Sequence, residues 1–450
     1  MSLLFKSGFL LILILAAPSC SKSQIKNSGQ KMSIDFYRTD LSSPISIEPK
    51  IYKIKASGET VEIPDALIEE YDGGYHYRFL NLQNNSRLKS SFSKTALWKI
   101  KWKTEIDSSL IPWYVLTNND RIVIQNENGW ELFDESGKKI SSGPRSDGNI
   151  GIDKINNIFY ENTFNGLLHA RQLSTGKNQF QIYPYFGKGY ERTVLSASEK
   201  NILVHGFELP VMTHDSPIRP AEYSILETID LGSLKEIDED GMLSSAFQKQ
   251  VLVCRSSKPL IATVGEKVVF AVPDHIFFMD EKLEVSTDLQ ENFIPVSLSL
   301  DELMNIYVVV KILKENNEEK IALWVISKEG NLISNTELKD LKETVIVPPV
   351  IGFDHTVYII LNQRIIAVNS SGKIIWDKMM AGVVGGAAIT PDNRLLVAEG
   401  NLLTSIDKAG ERNFIYDFEN ESLLTQPLVN EKGEIIIASN NFLYCIEPKK

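Results

Sequence analysis

A phrase of about forty residues recurs along the C-terminal part of this chain, and that period constrains the fold more than any other feature. One copy runs Pro349-Val350-Ile351, Asp354, Thr356-Val357-Tyr358-Ile359-Ile360, Arg364-Ile365-Ile366-Ala367-Val368 and Ser371-Gly372-Lys373-Ile374-Ile375-Trp376. A second carries Ala388-Ile389, Asp392, Arg394-Leu395-Leu396-Val397, Leu402 to Ile406 and Ala409-Gly410-Glu411. A third carries Pro427-Leu428-Val429, Glu434 to Ile437 and Phe442 to Ile446. Each run is four to six β-branched or aromatic residues bounded by turn residues, too short and too dense for a 3.6-residue helical period. These are strands, four to a repeat.

Turns of the same kind fall at Gly137, Gly176, Gly232, near Lys282, and at Gly330, Gly372 and Gly410, spaced 39, 56, 50, 48, 42 and 38 residues apart. Four short strands at this period predict β-propeller blades. The last copy lacks its fourth strand, and Ala96-Leu97-Trp98-Lys99-Ile100 reads like Lys373-Ile374-Ile375-Trp376-Asp377. The expectation is therefore an all-β closed propeller over 96–450. It has eight four-stranded blades, with seven as the alternative, and an N-terminal strand completes the last blade and removes its open edge. Residues 30–95 are less periodic and are expected to pack on the ring as an extension.

The N-terminus carries Lys6, an apolar run from Phe9 to Ala17 and small residues before Cys20, the anatomy of a removable export signal over 1–19. That run falls short of the roughly 20 apolar residues a bilayer span requires. Ala17-Pro18-Ser19-Cys20 resembles a bacterial lipoprotein cleavage site, which makes Cys20 the expected lipidation site, followed by a polar tether over 20–29. The expected location is the bacterial cell envelope, the outer membrane before the inner. A formal charge of −11 with no basic block argues against nucleic-acid partners and against electrostatic attraction to anionic lipid, leaving an acyl chain to hold the protein at a membrane.

The phrase Pro349, Val357-Tyr358, Ala367-Val368, Ser371-Gly372-Lys373 and Trp376 resembles the repeat of the pyrroloquinoline-quinone-like β-propellers, in which a Gly-Lys turn precedes a strand carrying Trp. The resemblance spans most of 96–450 and is sharpest in that one copy; elsewhere the Trp position is Phe180 or Phe414. It implies a packing signature rather than a cofactor site. Together with the N-terminus it points to lipid-anchored propellers such as the accessory propeller of the outer-membrane β-barrel assembly machinery.

The vicinal cysteines that the quinoprotein dehydrogenases of that superfamily use are missing: Cys254 and Cys445 are isolated in apolar strands and read as buried thiols. The histidines at 76, 169, 205, 214, 275 and 355 show no zinc spacing. Ser91-Phe92-Ser93-Lys94 matches S-x-x-K without its companion motifs, and Asp238-Glu239-Asp240-Gly241 lacks the closing Glu of a calcium loop. No cofactor and no metal are expected.

Two hairpins between second and third strands are enlarged: Glu208 to Glu222, stiffened by Pro210, Pro217 and Pro220, and Lys311 to Lys320. Met212, His214 and Arg219, with Lys311 and Lys314 as a second patch, are the predicted partner-binding residues. The expected function is a non-enzymatic scaffold for an envelope protein or extended peptide, the propeller itself monomeric. The competing class is an enzyme or sensor with a quinone or sugar in the central channel.

Overall fold

The computed structural model describes strands Lys31–Ser33, Phe36–Asp40, Ile51–Tyr52 and Glu62–Pro64, and residues 88, 91–92, 97–107, 114–118, 121–126, 129–144, 150–153, 157–162, 167–182, 190–197, 201–208, 223–230, 234–236, 242–245, 248–255, 260–264, 267–272, 275–279, 285–290, 293–313, 319–338 and 347–449. The described residues form strands and turns, with no helix.

The chain is an all-β propeller whose blades are built on four antiparallel strands in sequence order. Sheets A to H, in chain order, begin with strands Tyr114–Asn118, Gly151–Asp153, Tyr190–Ala197, Leu260–Val264, Ile294–Leu300, Val350–Ile351, Val384–Ile389 and Leu428–Val429. First strands of neighbouring sheets touch from B through G, so they surround the axis, and fourth strands lie outermost. Second and third strands whose burial is described are mostly buried, as in Val357–Ile360 and Leu395–Glu399, because both faces are covered by neighbouring sheets. That double covering is why they read as unbroken apolar runs.

The core lies between the sheets. Tyr307, Val309 and Leu323 of sheet E pack on Ile359 and Ile366 of sheet F; Tyr358 and Ala367 of F pack on Leu395 and Val397 of G; Leu396 and Leu403 of G pack on Ile437 and Tyr444 of H. Ile436 and Cys445 of H pack on Ile122 and Phe133 of A, and Trp130 of A packs on Phe159 of B.

Trp98–Glu105 pairs antiparallel with Phe442–Pro448 and supplies the fourth strand of sheet H, as the sequence predicts. The predicted equivalence within that strand needs correction: Trp102, not Trp98, matches Trp376. Trp102 lies opposite Cys445, and its indole N–H donates to the Glu135 carbonyl of sheet A at 2.9 Å. Trp376 lies opposite Ala367, and its N–H donates to the Lys408 carbonyl of sheet G at 3.1 Å. In both pairs a β-bulge follows the third-strand partner, which shifts the register that simple alignment assumes.

Two further expectations are corrected. Sheets B and C are six-stranded rather than four-stranded. Leu234–Glu236 and Met242–Ser245 form a hairpin whose second strand adds in parallel to the outer strand of B, while Phe36–Asp40 and then Ile51–Tyr52 add to the outer strand of C. Gly232 therefore does not turn from third to fourth strand. The fourth strand of C is Gln248–Arg255, reached only after that hairpin.

Candidate interaction surface

Met212, His214, Arg219 and Lys314 lie outside the described residues, as do Cys20 and Asp238 to Gly241. Lys311 belongs to the second strand of sheet E and pairs with Ile321; pairing continues to Leu313 and Glu319, so both ends of the predicted Lys311 to Lys320 insertion are strand, and 314–318 lie outside the described residues. Ser91 and Phe92 of the S-x-x-K match belong to a segment packed on sheets G and H: Leu88 and Phe92 are buried there, and the Ser91 hydroxyl donates to Asp392 at 3.2 Å.

At one end of the sheets lie the turns between first and second strands and between third and fourth strands. In five of the described turns a side-chain oxygen at the start accepts from two backbone N–H groups ahead of it, those of Asp134, Asp301, Asn369, Asp407 and Asn430. In sheets E, F and G the left-handed position of the first-to-second turn is taken by Met304, His355 and Asn393 at φ of 69°, 61° and 56°, where sheet H has Gly433. These three are strained relative to glycine; contacts with neighbouring turns hold His355 and Asn393, and burial in the core between sheets D and E holds Met304.

The Asp301 carboxylate, buried, also accepts from the Asn305 amide at 2.8 Å and the Tyr307 hydroxyl at 3.1 Å, and lies 3.5 Å from Nδ1 of His355 in the next sheet. The Asn393 side-chain oxygen accepts from the N–H of Phe353 at 2.7 Å and of Asp354 at 3.3 Å. The Lys408 ammonium stands 2.6 Å from Asp354. Burial works to raise the Asp354 pKa, but the bonds from Lys408 and Thr356 outweigh it and hold the carboxyl below the usual range.

On this cross-braced platform Leu303 is 59% exposed and Phe353 40% exposed. They are the turn positions that project outward while the polar groups beneath them bond to one another. The outer strands add Leu332, Ile333, Ile374, Ile375 and Phe414 in sheets E to G and Ile100 in sheet H, with Leu97 just before that strand, all exposed.

The opposite end uses its buried polar groups to hold the connections between sheets. Glu399 accepts from the Ala381 N–H at 2.7 Å and from the Thr404 hydroxyl at 2.7 Å while pairing with Arg412. Glu131 accepts from the Asp107 N–H at 3.2 Å and pairs with Lys139; Gln125 accepts from the Ile150 N–H at 3.1 Å. These groups are spent on chain geometry. In sheet B, Glu161 pairs with Arg171, whose guanidinium lies 5.1 Å from the Trp130 ring and 3.2 Å from Nδ1 of His169. Burial raises the Glu161 pKa against the charge of Arg171. Cys445 is a free buried thiol, pushed up to about 12 by burial first and then by the charge of Glu434, so it is held as an unreactive thiol. Among the described residues no group of His, Cys, Asp and Glu is arranged to hold a metal ion.

No family model matches this chain, and no curated protein resembles it in sequence. Among solved structures it is similar to BamB from Moraxella catarrhalis, with a TM-score of 0.52 and 12% identity over 78% of this chain and 100% of that one. It is also similar to Sqt1 from Saccharomyces cerevisiae, with a TM-score of 0.52 and 12% identity over 80% of this chain and 100% of that one. Both are β-propellers. Their likeness at this identity concerns the fold.

Proposed function

We propose that this chain is a non-enzymatic scaffold of the bacterial cell envelope, a propeller ring that holds a protein or extended peptide and is tethered by lipid on Cys20. The observation that carries the binding role is the pair Leu303 and Phe353, apolar side chains held outward on turns that are already bonded to one another. A pre-ordered apolar contact loses little conformational freedom on binding, which is what makes such a pair an effective anchor. The likeness to BamB and Sqt1 is consistent with this reading at the level of fold.

Crosslinking in intact cells tests it. Replacing Leu303 and Phe353 together by Asp leaves the turn backbones in place and should remove the principal crosslinked species; an unchanged profile would sink the role of this face. Mass spectrometry of the native N-terminus tests the anchor, which requires Cys20 to be the first residue and to carry acyl mass.

A further inference from the structure

The topology itself shows what the outer edges of these sheets accept. Sheet B takes a parallel strand, Met242–Ser245, on its fourth strand, and sheet C takes an antiparallel strand, Phe36–Asp40, on the equivalent edge. The two additions come from unrelated parts of the chain and run in different directions, so the edge selects for extended backbone rather than for one sequence.

Sheet edges that are meant to stay single carry lysine or proline. The outer strand of sheet H does, with Lys99, Lys101 and Lys103, and that of sheet A contains Pro144. The outer strand of sheet F, Ile374–Met379, has no proline, and its single lysine, Lys378, is engaged by the neighbouring sheet. Ile374, Ile375 and Met379 are 37%, 41% and 59% exposed. Its two charged residues are drawn back onto the protein: Asp377 pairs with Arg364 of the adjoining strand, and the Lys378 ammonium donates to the Gly410 carbonyl of sheet G. No described strand pairs with its free side.

We propose that Ile374–Met379 is a docking edge for one extended strand of a partner protein, seated by main-chain hydrogen bonds with apolar side chains at alternate positions over Ile375 and Met379. The proposal deepens the scaffold reading and rests on it. The two strands already seated on sister edges say what the occupant is; the apolar, charge-poor surface of this edge says what side chains it would bring.

The probe is a synthetic octapeptide of alternating Thr and Val with Lys at each end, added to the soluble full-length mature chain. Hydrogen exchange read by mass spectrometry should show new protection confined to 374–379, and fluorescence anisotropy should show binding. Methylating alternate backbone nitrogens of the peptide removes donors without changing its side chains and should weaken binding at least tenfold. The double variant Ile375→Lys, Met379→Lys copies the protection of sheet H and should do the same, with its thermal melt as the check on folding. Absence of protection at 374–379, or equal binding of the methylated peptide, overturns the proposal whether or not the variant folds. In cells, a folded lysine variant with an unchanged crosslink profile overturns the edge while the Leu303 and Phe353 result still decides the scaffold reading separately.

Discussion

At Gly137 the backbone has φ of +80°, and a Cβ would come within 2.5 Å of the Trp102 ring from the neighbouring sheet. Both the left-handed turn and the indole lying against it demand glycine, and the Thr104 hydroxyl donating to the Gly137 carbonyl at 2.6 Å fixes the approach. Gly137→Ala should therefore destabilise the protein by about 2 kcal/mol, measured by urea unfolding, through backbone strain and displacement of the ring together. His169 makes a second residue-scale case. Burial, and then the charge of Arg171, push its pKa down to about 4 from 6.5. A histidine whose folded pKa is depressed favours the unfolded chain once protons become available. Its contribution is thus fully present above about 6.5 and is lost as pH falls toward 4. His169→Asn should flatten the stability profile across that window by about 1 kcal/mol, allowing for the ring's partial exposure. The wild-type minus variant difference isolates it from Glu161, whose raised pKa acts with the opposite sign.

Among the elements, Trp98–Glu105 carries the most structural consequence, because without it Phe442–Pro448 becomes an open edge and Trp102 leaves the contact between sheets H and A. Deleting 98–105 should abolish cooperative thermal unfolding or drive self-association, read by light scattering; a stable, monomeric deletion variant would show that sheet H stands without it. This strand was legible in the sequence as an orphan matching a missing copy. The strands themselves were legible because second and third strands are covered on both faces and leave unbroken apolar runs such as Val357-Tyr358-Ile359-Ile360. The register of Trp102 was not, since a bulge inserts a residue that a linear comparison cannot see. The hairpin ending in Met242–Ser245 was hidden for a different reason: its partner is the edge of another sheet, and a parallel pairing of two residues leaves no local pattern. Of the platform residues, Leu303 and Phe353 gave no signal, because a turn's apolar residue looks like any strand residue until the turn's polar positions are known to be satisfied from below.

For the molecule as a whole, the placement of the core between sheets means that each buried side chain serves two sheets at once. Leu396, fully buried where G meets H, should cost about 3 kcal/mol on truncation to Ala, and so should Leu300 where D meets E. The two sites share no packed cluster, so the double variant should lose the sum to within about 0.5 kcal/mol by equilibrium urea unfolding. A large departure from the sum would mean that strain passes around the molecule from one interface to the next.

The ion pair between Lys101 and Glu434 joins residues 333 positions apart in the chain, and the strand pairing around it spans the same interval. During synthesis at about 10 residues per second, the early strand would wait roughly half a minute for its partner. Throughout that interval its lysines guard it against premature pairing, since the acidic residues that neutralise Lys99 and Lys101 are themselves late in the chain. Completion of the final sheet therefore depends on Phe442–Pro448: a chain lacking that strand keeps the core between the other sheets and leaves Trp98–Glu105 as an unpaired edge of the kind that chaperones and proteases act on.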